Sequence, residues 1–349
     1  MTNEKANHML RSFIQECFHQ NLDDVHLVIC GNEMRTCGGI LDWIDPNIPV
    51  TLIDFNLRRV GRIYDGHECH MPEMCIPFSE NTVVLVSILY AYQYEDAVKK
   101  LVALGIPEDH IAWGRPLAQE MLIEYSDYFA AARMDQKVKQ LFDHIGKDIS
   151  SIRYMDIGAN NFCLYNNTYL FYRAGASGVL IEANPDFADP LRSNRPRDVL
   201  LSCGCTAGSQ KGVMTYYKTN RAGYNTFVKS IAEKYGTAPE GTGGVYVTET
   251  LSVPIYPINM ILAENFPEKH VDYISVDIEG MGCEVVSDID FDQYQIDVIL
   301  LEMNPDSLES HQLYRKLAGL NYQMVYKGIG GRGDFLFYRK DVFGEPAIF

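Results

Sequence analysis

Four short apolar runs in the second half of the chain end in a carboxylate: RYMDIGA in Asp156, GVLIEAN in Glu182, VDYISVDIEG in Asp277 and DVILLEMN in Glu302. In an open parallel sheet the carboxyl ends of the strands share one edge and line the ligand crevice. Chance places one or two acids on such an edge; four argue for a site. Carboxylates grouped there can accept hydrogen bonds from hydroxyls and amines, and one of them can remove a proton from a reacting group. The turn Gly158-Ala159-Asn160, directly after Asp156, is built of small residues and leaves room for a ligand to approach the backbone. Each residue also has a structural reading. Asp156 or Asn160 could cap a helix, and Asp277 and Glu279 could cap the next helix and serve its dipole. The fourth strand should abut the first where the strand order reverses, which favours function for Asp277 and Glu279.

Positioning these acids takes a chain long enough for two domains, and 349 residues suffice. Composition is that of an ordinary globular protein, 47% apolar and 22% charged, which excludes a largely disordered chain. A net charge of −16 without a clustered Lys/Arg run argues against nucleic acid as partner. No apolar stretch reaches membrane-spanning length, so no membrane insertion is expected, and MTNEKANHML is too polar for a secretory signal. Nine scattered cysteines, an odd number, point to a reducing cytoplasm. His67, Cys69, His70 and Cys75 crowd into DGHECHMPEMC, but their spacing matches no common ligand pattern, so no metal is expected.

The first half alternates strands and helices: a helix over about 4–19, strands VHLVIC, VTLIDFN and TVVLVSI, and a helix YEDAVKKLVALGI closed by Gly105. GNEMRTCGGILDWI reads as a turn entering a helix. This pattern predicts a small Rossmann-like α/β domain over residues 1–114. Gly31, Gly38 and Gly39 do not make the dinucleotide fingerprint, although Asp54 lies about where a ribose-binding acid would. Presentation of an acceptor, or assembly, suits this domain better than a redox centre. Residues 115–149 predict a helical linker of one long or two consecutive amphipathic helices, and GTAPEGTGG at 236–244 a mobile loop.

The Asp156 turn and Glu182 fit a nucleoside. A carboxylate at the entrance repels a pyrophosphate but suits an amine and a sulfonium, the combination found in S-adenosylmethionine. The ordered motifs DIGAN, GVLIEANP, NRP, NTF, VDYISVDIEG and ILLEMN resemble the FkbM-type methyltransferase family over about residues 150–340. The resemblance implies a class I methyltransferase fold: a seven-stranded, doubly wound sheet ending in an antiparallel hairpin, occupying residues 150–349. It also implies S-adenosylmethionine as donor and O-methylation of a hydroxyl on a small-molecule acceptor, a sugar, a glycan or a natural product. Carried over by position, Asp156, Gly158 and Asn160 hold the cofactor's methionine end and Glu182 its ribose, with Ala159, Ala183, Asn184 and Asp277 as further cofactor contacts. Ser202 and Cys203 flank the adenine. Asp277 and Glu279 stand near the methyl group and the acceptor as the catalytic pair. Glu302 and Asn304 offer further contacts to the acceptor, and Asn225 and Thr226 are either acceptor contacts or an ordinary turn and cap. His311, on an expected helix, is the reserve base.

Two departures from the family pattern stand out. Phe162 occupies a position where glycine is common, and DIEGMGCE has Gly282 where a second acid usually follows, delaying it to Glu284. The second departure leaves an alternative open, a catalytically weakened scaffold that binds a glycan intermediate.

Overall fold

Val-, Ile- and Leu-rich runs form the strands of two separate, mostly parallel sheets, seen in a computed structural model. The structure describes residues 2–31, 40–43, 45, 47–64, 66–88, 91–235, 244–327 and 333–346. It divides into two units, Met1–Asp127 and Tyr128–Phe349.

The first unit contains helix α1 (Thr2–Phe18), strands β1 (His26–Cys30), β2 (Val50–Ile53), β3 (Ile63–Tyr64), β4 (His67–His70) and β5 (Thr82–Val86), helix α2 (Ala91–Ala103), strand β6 (Ile111–Trp113) and helix α3 (Arg115–Tyr125). The sheet order is β3-β4-β2-β1-β5-β6, and only the β3–β4 pairing is antiparallel. Every residue of β5 is buried, as expected for a central parallel strand covered on both faces. Val28, Ile53, Val84, Val86 and Leu101 form its core. Strands β3, β4 and β6 were not foreseen, because two to four residues of mixed polarity carry no readable period. The expected helix in GNEMRTCGGILDWI, and Gly38 and Gly39 with it, fall mostly outside the described residues; Ile40–Asp42 is a 3-10 turn. GTAPEGTGG likewise lies outside them except for Gly244.

The second unit opens with α4 (Met134–His144) and then follows strand–helix alternation: β7 (Arg153–Ile157), α5 (Tyr169–Ala174), β8 (Ser177–Ile181), α6 (Ala188–Asn194) and β9 (Val199–Leu201). An insertion follows, made of β10 (Gly204–Thr206), β11 (Gly212–Thr219), α7 (Lys229–Tyr235) and β12 (Val247–Pro257). The alternation resumes with α8 (Ile258–Asn265), β13 (His270–Val276), α9 (Gly282–Asp288), β14 (Gln295–Met303) and α10 (Leu308–Gly319). The hairpin β15 (Tyr322–Lys327) and β16 (Gly333–Arg339) and the short α11 (Lys340–Phe343) complete it. The seven-stranded sheet runs β15-β16-β14-β13-β7-β8-β9, with β16 antiparallel to both neighbours. This is the class I methyltransferase arrangement. Its order reverses between β7 and β13, which pair in parallel as expected.

Stretch 115–149 holds two consecutive helices rather than one long one. Helices α3 and α4 lie in different units, and Asp135 at the start of α4 accepts from the N–H groups of Phe129, Ala130 and Gln136 at 2.5, 3.2 and 2.9 Å. The insertion sheet, β10-β12-β11, was also unforeseen, because few residues of β11 and β12 are buried and neither strand is a continuous apolar run.

Candidate active site

Side chains alternate across β7, so Met155 and Ile157 enter the main core while Tyr154 and Asp156 face the other side. Asp156 is buried there. Its Oδ2 accepts from the Thr168 hydroxyl at 2.7 Å and the Asn166 amide at 3.3 Å. The same amide donates to the carbonyls of Ala159 and Asn161 at 2.9 and 3.1 Å, so one side chain grips both ends of the turn after β7. Burial raises the Asp156 pKa, and the nearby Arg195 guanidinium opposes the rise. The entrance acid expected from the sequence is thus anchored in a buried polar network.

The turn itself is held by β8. Gly158 and Ala159 donate to the Ile181 carbonyl at 2.9 and 3.2 Å. Asn160 has φ 50°, a left-handed geometry that Asn tolerates better than most residues. The Asn160 N–H meets Glu182 Oε2 at 2.7 Å, and the Asn184 N–H meets Oε1 at 2.6 Å. Glu182 therefore ties the loop after β7 to the loop after β8. Burial pushes its pKa up to about 7 against the pull of these N–H donors. Phe162, the departure in this turn, is buried edge-on against Tyr169 at 5.9 Å between ring centres. It serves as core.

Asp277 follows β13 directly, and its N–H donates to the Ile157 carbonyl at 2.9 Å, joining the two strands at the switch point. Its side chain is exposed to solvent, although many protein atoms lie close around the carboxylate. That crowding, with the charges of Glu302, Asp334, Glu279 and Asp156, raises its pKa well above the usual carboxylate range. Asp334 was not foreseen. It lies opposite Glu302 in the β14–β16 register, which puts two like charges side by side. Burial, then Glu302, pushes the Asp334 pKa up to about 6. Glu279 is half-buried, and its backbone carbonyl accepts from the Thr226 hydroxyl at 2.7 Å.

The Asp334 shift has a consequence for stability. A carboxyl with a raised folded-state pKa binds its proton more tightly in the folded chain. Its contribution is therefore full below about pH 4 and is lost as pH rises through about 6. Asp334→Asn should thus be more stable than the parent at pH 8, by roughly 1–2 kcal/mol after allowance for partial exposure. The gain should vanish near pH 4. Urea unfolding at both pH values checks it, and a variant destabilised at pH 8 would contradict the electrostatic account.

The remaining sequence candidates take varied places. Thr226 also accepts from the Val228 N–H at 3.0 Å, and Asn225 Oδ1 accepts from the Thr219 N–H at 2.8 Å, so both brace the turn that holds Glu279. Ala183 is half-buried, and Ser202 is exposed and receives Arg192 at 3.2 Å. Cys203 belongs to the core, where burial raises its thiol pKa to about 11. Asn304 is exposed and accepts from the Asp306 N–H at 3.1 Å in a local turn. His311 lies exposed on α10. Asp54 accepts from Asn56 N–H and Arg59 at 2.8 and 2.9 Å. Among the described residues, the grouping with metal-ligand spacing is His270, Asp272 and Asp297, at the opposite end of the strands. There Lys147 pairs with Asp272, and His270 bonds Asp297 at 2.8 Å, so the group is internally compensated.

No curated protein matches the chain. Solved structures that match it include the O-methyltransferase from Bacillus cereus in complex with SAH, at 13% identity, 72% coverage of this chain, 91% of that chain and TM-score 0.32. Another is the precorrin-6y C5,15-methyltransferase from Geobacter metallireducens, at 13% identity, 61% and 93% coverage and TM-score 0.29. The family model described as the methyltransferase FkbM domain matches residues 156–324, from the first strand-end acid to β15. The chain thus carries a methyltransferase FkbM domain, with S-adenosylmethionine as its cofactor.

Proposed function

We propose that this protein methylates a hydroxyl of a sugar, glycan or natural-product acceptor, with Asp277 and Glu279 orienting that hydroxyl and taking its proton. The observation that carries the reading is Asp277: accessible, at the switch point, and held at a raised pKa by crowding and neighbouring carboxylates. A carboxylate with a raised pKa is a stronger proton acceptor once ionised. Glu302 contributes a further contact to the acceptor, and Asn304 could do so if its local turn opened.

The residues around the first two strands suit the cofactor. Both oxygens of Glu182 are fixed by backbone N–H groups, and the carboxylate keeps acceptor capacity for a ribose hydroxyl. The Asp156–Asn160 turn would take the methionine end, Ala183 and Asn184 would border the ribose, and Ser202 and Cys203 would border the adenine. Bound S-adenosylmethionine supplies an electrophilic methyl group. The protein's own work is to align the acceptor, exclude water and accept a proton at Asp277.

The scaffold alternative rested on DIEGMGCE. A Cβ at position 282 would stand 2.7 Å from Leu301 Cδ1, so glycine there answers a packing demand between α9 and β14. The departure therefore has a packing reading that needs no loss of turnover. Cell extract incubated with the protein and methyl-labelled donor should yield a product whose label survives mild alkali, as an ether does. Label released as methanol, or found on nitrogen, would overturn the hydroxyl reading.

The first unit, which the sequence bounds at residues 1–114, is assigned to acceptor presentation. A chain shortened to residues 128–349 should keep S-adenosylhomocysteine binding and lose methylation of the extract acceptor. Undiminished methylation by the shortened chain would remove that role.

A further inference from the structure

Arg195 is 1% exposed and belongs to none of the roles above. Its Nε donates to Asp198 at 2.8 Å, and Asp198 also receives the Tyr154 hydroxyl and the Gly178 N–H, each at 2.8 Å. Its Nη1 donates to Asn166 Oδ1 at 2.9 Å, and its Nη2 to Thr168 Oγ1 at 3.0 Å and the Tyr154 hydroxyl at 2.9 Å. The rings of Tyr154, Tyr169 and Tyr172 surround the guanidinium at 5.0–6.0 Å.

A guanidinium has donors only. The Asn166 side chain must therefore turn its oxygen toward Arg195 and its NH2 toward Asp156, Ala159 and Asn161. With Arg195 already donating to the Thr168 oxygen, the single Thr168 hydroxyl proton goes to the carboxylate of Asp156 at 2.7 Å rather than to the Asn166 oxygen at 3.1 Å, which Arg195 already occupies. Asn166 thus acts as donor to the turn after β7 and Thr168 as donor to Asp156 at its start. The cation also lies between two buried carboxylates, Asp198 and Asp156, where an unpaired charge would be costly.

We propose that Arg195 is a positioning residue for the methionine end of S-adenosylmethionine, setting the hydrogen-bond polarity of Asn166 and Thr168 and thereby the shape of the Asp156–Asn161 turn. The proposal rests on the reading that this turn holds the amino-acid end of the cofactor. Arg195 touches neither cofactor nor acceptor in this scheme. It acts through the two side chains it orients.

Calorimetry on the full chain with two probes separates this role from general stability. S-adenosylhomocysteine carries the amino-acid end, and 5′-methylthioadenosine keeps the nucleoside and sulfur without it. Arg195→Lys should weaken S-adenosylhomocysteine at least tenfold and leave 5′-methylthioadenosine within twofold. If that variant does not fold, Thr168→Val decides with the same expectation, and Thr168→Ser should restore the parent's preference. Equal weakening of both probes, or no change in either, overturns the proposal. Asp156→Asn separates the two layers of the reading. If it leaves the preference for S-adenosylhomocysteine intact, the turn does not hold the amino-acid end. If it abolishes that preference while Arg195→Lys and Thr168→Val do not, the role of Arg195 alone falls.

Discussion

Asp277→Asn should lower the rate of methyl transfer by about 10²–10⁴-fold, the usual contribution of a positioned base, with S-adenosylhomocysteine affinity little changed. The substitution keeps the shape and removes the charge, so it separates a base from a spacer. A protonated hydroxyl is a poor nucleophile, and the raised pKa of Asp277 makes it a stronger proton acceptor than an ordinary surface carboxylate. The pH profile is a second readout. Because the base must be ionised, the parent's rate should rise with pH through the pKa of Asp277. Asp334→Asn removes one negative neighbour and should move that limb to lower pH. If Asp277→Asn turned over at the parent rate with saturating cofactor, the carboxylate would be structural. His311, exposed on α10, would then be the next residue to test.

Much of this arrangement was legible because the strands that build it are buried on both faces and read as continuous apolar runs ending in a charge. Residues Asp156, Glu182, Asp277 and Glu302 all lie at the expected strand ends. Their partners were not legible. Asp334 joins the acids through the register of an antiparallel hairpin, which pairs it with Glu302 thirty-two positions earlier, and nothing in the sequence sets that register. Arg195 meets Asn166 across 29 positions, so the role proposed for it appears only once the residue after α6 has reached the loop after β7. The NRP motif marked the residue without giving a reason for it. Thr226 shows the opposite limit. Its hydroxyl is committed to the Glu279 carbonyl, which favours the turn-and-cap reading over direct contact with an acceptor.

Gly158→Ala should abolish detectable S-adenosylhomocysteine binding, because two penalties meet at that residue. Its φ of 90° lies where L residues are strained, and an added Cβ would stand 2.1 Å from the Asp277 carbonyl oxygen and 3.1 Å from Ile278 Cγ2. The first contact is with backbone, so no rotamer change relieves it. Either the turn after β7 or the segment after β13 must move, and those are the segments proposed to present the cofactor and acceptor sides of the site. The cost should be about 3–5 kcal/mol, the range reached when overpacking and backbone strain coincide. Gly208→Ala is the matched control. Its φ is 93°, but a Cβ there meets nothing within 4 Å, so it carries the backbone strain alone, about 1–2 kcal/mol. Denaturant unfolding of both variants, with calorimetry on whichever remains folded, isolates the close approach from the strain. Equal losses in the two would mean that the contact between the β7 turn and Asp277 is relieved at little cost, and that the two sides of the site are not rigidly coupled.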